Sequence, residues 1–289
     1  MSKARLLLCT DMDRTVIPNG LQAEHPLARK WFSEFCRLSQ VTLVYVTGRH
    51  QKLVKEAIKH YNLPWPGYAI TDVGSKISHI NHQQQWQPLQ IWEDEINKEW
   101  HGKSHGELKT LFADITELQL QETSKQNSHK LSYYIALHVK QEDILLQMAQ
   151  RLNADGVQAS LIWSVDEPKG IGLLDVLPRN ATKLHAIDFL RQQLNYSLDE
   201  VLFAGDSGND LPVLASAIPS VLVANSTSDV KKTALAQVKQ NGTQQALYLA
   251  TGHNTHMNGN YSAGILEGIA HFHPAFRQQL NEMGVCCEQ

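Results

Sequence analysis

Apolar runs of strand length recur along the chain, and several stop at a cluster of small and charged residues. Residues 5–10, 41–46 and 68–71 are such runs. The second is rich in β-branched residues and carries no charge, as a strand buried on both faces requires. Between the runs the period changes: Leu27, Trp31, Phe35 and Leu38 recur at helical spacing, and so do Leu53, Ala57 and Ile58. Strands alternating with helices predict an α/β fold with an open parallel sheet.

The pattern breaks near residue 79. Residues 79–88 are polar and glutamine-rich, a hairpin or connector. Residues 89–100 read as an amphipathic helix, and 108–116 fit neither period. A strong strand over 131–139, a helix over 144–152 and strands over 156–163 and 171–177 follow without a clear parallel crossover. That block reads as a separate α+β unit. The earlier grammar resumes at Pro178, with a helix over 181–194 and strands over 201–204, 220–224 and 246–249. A helix starts at 210–215; a polar loop over 252–260 leads to a helix over 261–272, packed through Ile265, Leu266 and Ile269. The expected division is a core of residues 1–79 and 178–289 with an insert of residues 80–177.

Composition narrows the partners. With 19 % charged residues and a net charge of -3, neither disorder nor a nucleic-acid surface is indicated. The glycines form no Gly-x-Gly-x-x-Gly fingerprint, and no Cys/His spacing reads as a zinc site. Cys9, Cys36, Cys286 and Cys287 make no disulfide framework; Cys9 belongs to a core strand and the last two to a frayed tail. The first apolar run is too short for a signal peptide and no stretch approaches a membrane span. A soluble, cytoplasmic protein is expected.

Candidate chemistry collects where the strands end. The first run leads into Asp11-Met12-Asp13-Arg14-Thr15, which brings two carboxylates within a few ångströms. Like charges that close need a proton or a cation between them, and hard oxygen donors suit Mg²⁺. Thr47-Gly48-Arg49 closes the second run and Gly205-Asp206-Ser207-Gly208-Asn209-Asp210 closes a later one. At the carboxyl edge of such a sheet, where ligands bind, these residues combine a metal site, a carboxylate nucleophile and a phosphate grip. The chemistry is phosphoryl transfer.

Those three motifs, with Lys183, resemble the four motifs of the haloacid dehalogenase (HAD) superfamily, whose core is Rossmann-like. Further stretches are similar to its sucrose-phosphate phosphatase branch: residues 71–77 with Gly74 and Ser75, Lys130-Leu131-Ser132-Tyr133, Asp175-Val176-Leu177-Pro178 and residues 262–272. The resemblance implies an inserted cap over residues 80–177 and hydrolysis of a sugar phosphate, sucrose 6-phosphate first, through an aspartyl-phosphate. It makes Asp11 the nucleophile and Asp13 the acid and base. Thr47 and Lys183 would grip the phosphate and neutralise its charge. Mg²⁺ would be held by Asp11, Asp206 and the backbone carbonyl of Asp13, with Asp210 and Asn209 orienting the lysine and the metal waters. Substrate contacts are implied for Thr47, Gly48, Arg49, Gly74, Ser75, Lys130, Ser132, Asp175, Lys183 and Asn209.

In the cap, Asn127, His129, Tyr133, Trp163 and the 163–169 loop suit a sugar, although any single tryptophan is more often packing. Partners implied are the small-molecule substrate and a sugar-phosphate synthase, with no nucleic acid and no membrane. Two departures stand out: Arg14 occupies a position that is usually small or neutral, and Leu184 one that is usually glycine. Other readings are a phosphatase for glucosylglycerol phosphate or a hexose phosphate, and a non-catalytic sugar-phosphate-binding module. Retention of Asp11, Asp13, Asp206 and Lys183 together argues against the last.

Overall fold

Leu6 and Leu8 pack on one side of the first strand and Leu7 and Cys9 on the other, and all four are fully buried. An uninterrupted apolar run is what a strand needs when both faces are covered. In the computed structural model, which describes residues 4–166 and 169–285, that strand (β1, Leu6–Thr10) lies inside an eight-stranded sheet.

Val41–Val46 (β2), Tyr68–Thr71 (β3), Lys76–Ile80 (β4) and Trp86–Pro88 (β5) extend the sheet on one side of β1. Gln119–Leu120 (β6), Leu131–Ala136 (β7), Ala159–Asp166 (β8) and Ile171–Pro178 (β9) form a second, antiparallel sheet in the order β6-β7-β9-β8. Val201–Gly205 (β10), Ser220–Leu222 (β11) and Leu247–Leu249 (β12) complete the first sheet, in the order β12-β11-β10-β1-β2-β3-β4-β5.

From β12 to β3 the pairing is parallel, and β4 and β5 add an antiparallel edge. The sheet is therefore mixed where the sequence pattern predicted a parallel one. The chain leaves β1 in one direction and returns on its other side at β10, so β1 marks a topological switch point, where α/β sheets open a crevice. Helices Ala28–Phe35, Gln51–His60 and Ser262–Phe272 cover one face. Lys183–Gln193, Leu211–Leu214 and Ser228–Asn241 cover the other.

Two elements expected at the start of the insert join the core. Strand β5 pairs with β4, and the helix Gln90–Asn97 buries Trp92 and Ile96 among Leu7, Val44, Ile70 and Ala186. Trp92 Nε1 donates to the Gly74 carbonyl at 3.1 Å, so this tryptophan braces a core loop. Trp100 packs the second unit instead, with Leu108, Phe112, Leu131, Met148 and Val176. The unassigned stretch 108–116 contains the end of a helix, His105–Leu111, started by a Ser104–Glu107 capping box.

The helix Ser228–Asn241 has no counterpart in the sequence reading because its apolar stripe is thin: Val230, Ala234 and Val238, of which only the last two are buried. Its caps mark it more clearly: Thr227 at the start and Gly242, at φ 71°, at the end. Cys286, Cys287 and part of the 163–169 stretch lie outside the described residues; Trp163 to Asp166 continue β8. Among the described residues no helix is long and apolar enough to cross a membrane.

Candidate active site

The carboxyl ends of β1, β2 and β10 meet at one cavity of about 340 Å³, lined by Asp11, Asp13, Arg14, Thr47, Arg49 and Asp206 among others. Asp11 extends the ladder, its N–H donating to Ala204 O at 2.9 Å, and the chain then turns so that residues 15–17 all bond back to Met12 O. This turn separates the two aspartates. Asp11 is buried, whereas Asp13 swings outward to a paired contact with Arg49 at 2.6 and 2.7 Å and a bond from Asn19 at 2.8 Å.

The loop after β10 is built around Asp210, which is fully buried. Its Oδ2 accepts the backbone N–H groups of Asp206 and Ser207, both at 3.1 Å, which fixes Asp206 beside Asp11. Gly205 permits this, since a Cβ there would lie 2.6 Å from the Asp210 Cγ. Lys183 opens its helix, behind the N-cap Thr182. Its Nζ donates to Asp11 Oδ1 at 2.6 Å, Asp210 Oδ1 at 2.8 Å and Asn209 Oδ1 at 3.1 Å. A cation at a helix N-terminus works against the helix dipole by up to about 1 kcal/mol. Two buried, charge-assisted bonds outweigh that.

Charge in this cluster is undercompensated. Asp11, Asp206 and Asp210 offer oxygens all within 4.8 Å of one another, against the Lys183 ammonium and, at Asp206 alone, the half-exposed Arg14 guanidinium. Burial, with repulsion from Asp210 and Asp206 opposed by Lys183, pushes the Asp11 carboxyl up to about 7. Burial and then Asp210 push Asp206 up to about 6. Burial opposes the charge on Lys183, yet Asp11 and Asp210 hold it above its ordinary range. The lysine thus stays charged, and the carboxylates carry the deficit. Burial also raises Asp13, but the Arg49 guanidinium more than offsets it and keeps Asp13 below the usual carboxylate range.

A set of oxygen donors with excess negative charge fits a hard divalent cation. Asp210 already uses both oxygens, on Lys183 and on the backbone, so Asp11 and Asp206 face any cation and Asp210 backs them. Asp13 is expected to offer its backbone carbonyl rather than its carboxylate, and the carboxylate stands outside this group.

Thr47 is buried next to Asp11 and Asp13 in the cavity wall, and its Oγ1 accepts the Arg49 N–H at 3.1 Å. The loop 72–73 ties down this turn through Asp72 N to Arg49 O and Val73 N to Thr47 O. That loop is strained: Asp72 and Val73 have φ of 52° and 63°, the second a genuine outlier for a β-branched residue. Gly74 and Ser75 lie behind it. Lys130, Ser132 and Asp175 gather on the second sheet, where Asp175 accepts from Ser132 Oγ and pairs with Lys130 at 3.2 Å. They do not line the cavity around Asp11. Asn127 Nδ2 donates to Ser75 Oγ at 3.0 Å and ties the two units together.

Residues 4–273 match the family described as sucrose-6F-phosphate phosphohydrolase. The chain belongs to that family. With it comes membership of the HAD superfamily of phosphatases. A putative HAD-like hydrolase from Nitrosococcus oceani is 50 % identical over 95 % of this chain and 74 % of its own length. Sucrose-phosphatase 1 of Nicotiana tabacum is 29 % identical over 94 % of this chain, which spans 60 % of that relative's length. Among solved structures, the Synechocystis sp. sucrose-phosphatase in complex with sucrose and phosphate aligns with a TM-score of 0.68 at 26 % identity, covering 93 % of this chain and 98 % of that one.

In this member of the family the two departures have different consequences. Leu184 packs against the apolar cluster under the lysine helix. Arg14 points into the site, its Nε 3.2 Å from Asp206 Oδ2. Sequence reasoning gave no role to Asn225, which accepts the Tyr261 N–H at 2.9 Å and donates to the Arg14 carbonyl at 2.6 Å. Its only signal was its place at the end of an apolar run. Tyr261 is fully buried at φ 51°, so Asn225 joins the helix Ser262–Phe272 to the loop after β1.

Gly74 lets its loop approach the start of the lysine helix closely. It has φ 101°, and a Cβ there would lie 2.6 Å from Thr182 C and 3.0 Å from Lys183 N. Gly74→Ala should therefore displace the lysine helix, lower the unfolding midpoint and cut kcat by about 10²-fold with a smaller change in KM. Steady-state kinetics and urea unfolding read both effects. An unchanged kcat would show that the lysine position tolerates the shift.

Proposed function

We propose that this chain hydrolyses a sugar phosphate in a Mg²⁺-dependent reaction, with sucrose 6-phosphate the first candidate substrate. The observation that carries the reading is the Lys183 bridge between Asp11 and Asp210, beside Asp206, at the switch point of a chain matching this family over residues 4–273. The solved relative that holds sucrose and phosphate favours a disaccharide phosphate over a monosaccharide one.

An Asp11 carboxylate oxygen attacks phosphorus, the bond from phosphorus to the sugar oxygen breaks, and that oxygen takes a proton from Asp13. Water then attacks the aspartyl-phosphate, gives its proton to Asp13, and phosphate and free Asp11 result. Lys183 and the Thr47 hydroxyl hold phosphate oxygens on which charge gathers. Bound at Asp11 and Asp206, Mg²⁺ would add charge stabilisation at the same oxygens. Asp13 paired with Arg49 is in the form that accepts a proton, the form the second step needs. Before the first step the substrate must draw Arg49 away so that Asp13 can carry its proton.

The second antiparallel sheet with its helices, about residues 98–177, acts in this proposal as a cap that closes over the sugar and excludes water. Lys130, Ser132 and Asp175 would contact the sugar on closure, with Gly48 and Ser75 at the rim.

Phosphate release with Mg²⁺ from sucrose 6-phosphate, glucosylglycerol phosphate, trehalose 6-phosphate and glucose and fructose 6-phosphates tests the assignment. We expect kcat/KM for sucrose 6-phosphate to lead by about 10²-fold, since a site built to hydrogen-bond hydroxyls rejects analogues that lack them. A lead for another disaccharide or glucosylglycerol phosphate would keep the core chemistry and reassign the cap. No release from any of them would remove the phosphatase reading.

A further inference from the structure

Arg14 has no part in the chemistry assigned to the other residues of the cavity, yet its place is built. Its backbone is left-handed, at φ 58°. Its N–H donates to Asn19 Oδ1 at 2.8 Å and its carbonyl accepts from Asn225 Nδ2 at 2.6 Å. Asn225 is itself fixed by the Tyr261 N–H. The side chain is thereby directed at Asp206, with Nε 3.2 Å from Oδ2, while Nη2 donates to Asn225 O at 3.3 Å. The hold on Asp206 is one of charge alone, because Nε is buried and makes no hydrogen bond of good geometry. Thr15 reaches the other Asp206 oxygen at a long 3.4 Å.

We infer that the Arg14 guanidinium and a divalent cation compete for the Asp206 carboxylate, and that cation binding releases Arg14 to take the substrate phosphate. An arginine stays protonated at any working pH and cannot share a metal as a ligand. A cation at Asp206 therefore repels a guanidinium 3.2 Å from Oδ2 and drives it off. The displaced group stays tethered in the cavity that also holds Asp11, Thr47 and Asn209. There its planar donors match two oxygens of a phosphate dianion. In the free chain Arg14 supplies some of the missing positive charge; in the loaded chain it becomes a phosphate ligand.

This inference rests on the cation site proposed above, and the test separates the two. Calorimetry with Mg²⁺ alone, without substrate, is run on the wild type, Arg14→Gln, Arg14→Lys and Asp206→Asn, each checked for an unchanged unfolding midpoint. Arg14→Gln should bind Mg²⁺ about fivefold more tightly, the scale of one partly exposed ion pair, and Arg14→Lys should stay near the wild type. At saturating Mg²⁺, Arg14→Gln should bind inorganic phosphate about tenfold more weakly. Equal or weaker Mg²⁺ binding by Arg14→Gln, with wild-type binding that Asp206→Asn abolishes, overturns the competition and leaves the cation site standing. Wild-type binding that is absent, or that Asp206→Asn leaves intact, overturns both.

Discussion

Asp11→Asn should stop phosphate release, by about 10⁴-fold or more in kcat, and leave the sugar phosphate bound. Asparagine keeps the shape of the side chain and an oxygen that can accept from Lys183, now 2.6 Å from Asp11 Oδ1, but it cannot form an acyl phosphate. The unfolding midpoint separates this loss of chemistry from a loss of stability. Burial raises the Asp11 carboxyl to about 7, so ionising it disfavours the folded state as pH rises from the ordinary carboxylate range to that value. A neutral amide removes that effect, and the unfolding midpoint at pH 7.5 should hold or rise. Turnover is followed by phosphate release and binding by calorimetry with the same substrate. A variant that turns over at the wild-type rate would take the nucleophile's role away from Asp11.

Lys183→Met should cost almost as much activity, about 10³-fold, and should also destabilise the chain by about 3 kcal/mol near neutral pH. Methionine fills much the same buried volume as the lysine stem, so the change is mainly one of charge. Asp11 and Asp210, at 2.6 and 2.8 Å from Nζ, lose the buried cation they share. The sign of the pH effect follows from the two carboxylates. In the wild type the raised lysine contributes stability at every pH below its unfolded value. Without it, Asp11 titrates higher still, so the variant loses stability as pH rises from 5 to 8. Urea unfolding at the two pH values checks this. A deficit equal at both would mean that Asp11 and Asp210 are already compensated by other groups.

Much of the core was legible because the sheet is buried on both faces. Residues 41–46 and 68–71 are strands with the bounds that the apolar runs suggested. The order of motifs, each at a strand end, is enough to place Asp11, Thr47 and Asp206 on one sheet edge, where they line one cavity. Elements whose stability comes from neighbours were less visible. The short β5 strand Trp86–Pro88 gains its place by pairing with β4, and the polar helix Ser228–Asn241 has only two buried side chains. Trp92 and Trp100 stand eight residues apart on one helical stripe of the sequence, yet one packs the core and the other the cap.

By itself the sequence determined the central parallel strands, the helices that alternate with them and the charged groups that stand at the strand ends, since these depend on local period and side-chain chemistry. Tertiary structure alone decided which charges face one another. Asp11 and Asp13 are two residues apart, but the turn at Met12 sends one to Lys183 and the other to Arg49. Asp210 reaches Lys183 across 27 positions, and Asn225 reaches Arg14 across 211. Pairings of that separation leave no period in the chain. They are fixed only when the strands stack in register and the low-dielectric interior makes each unpaired charge costly.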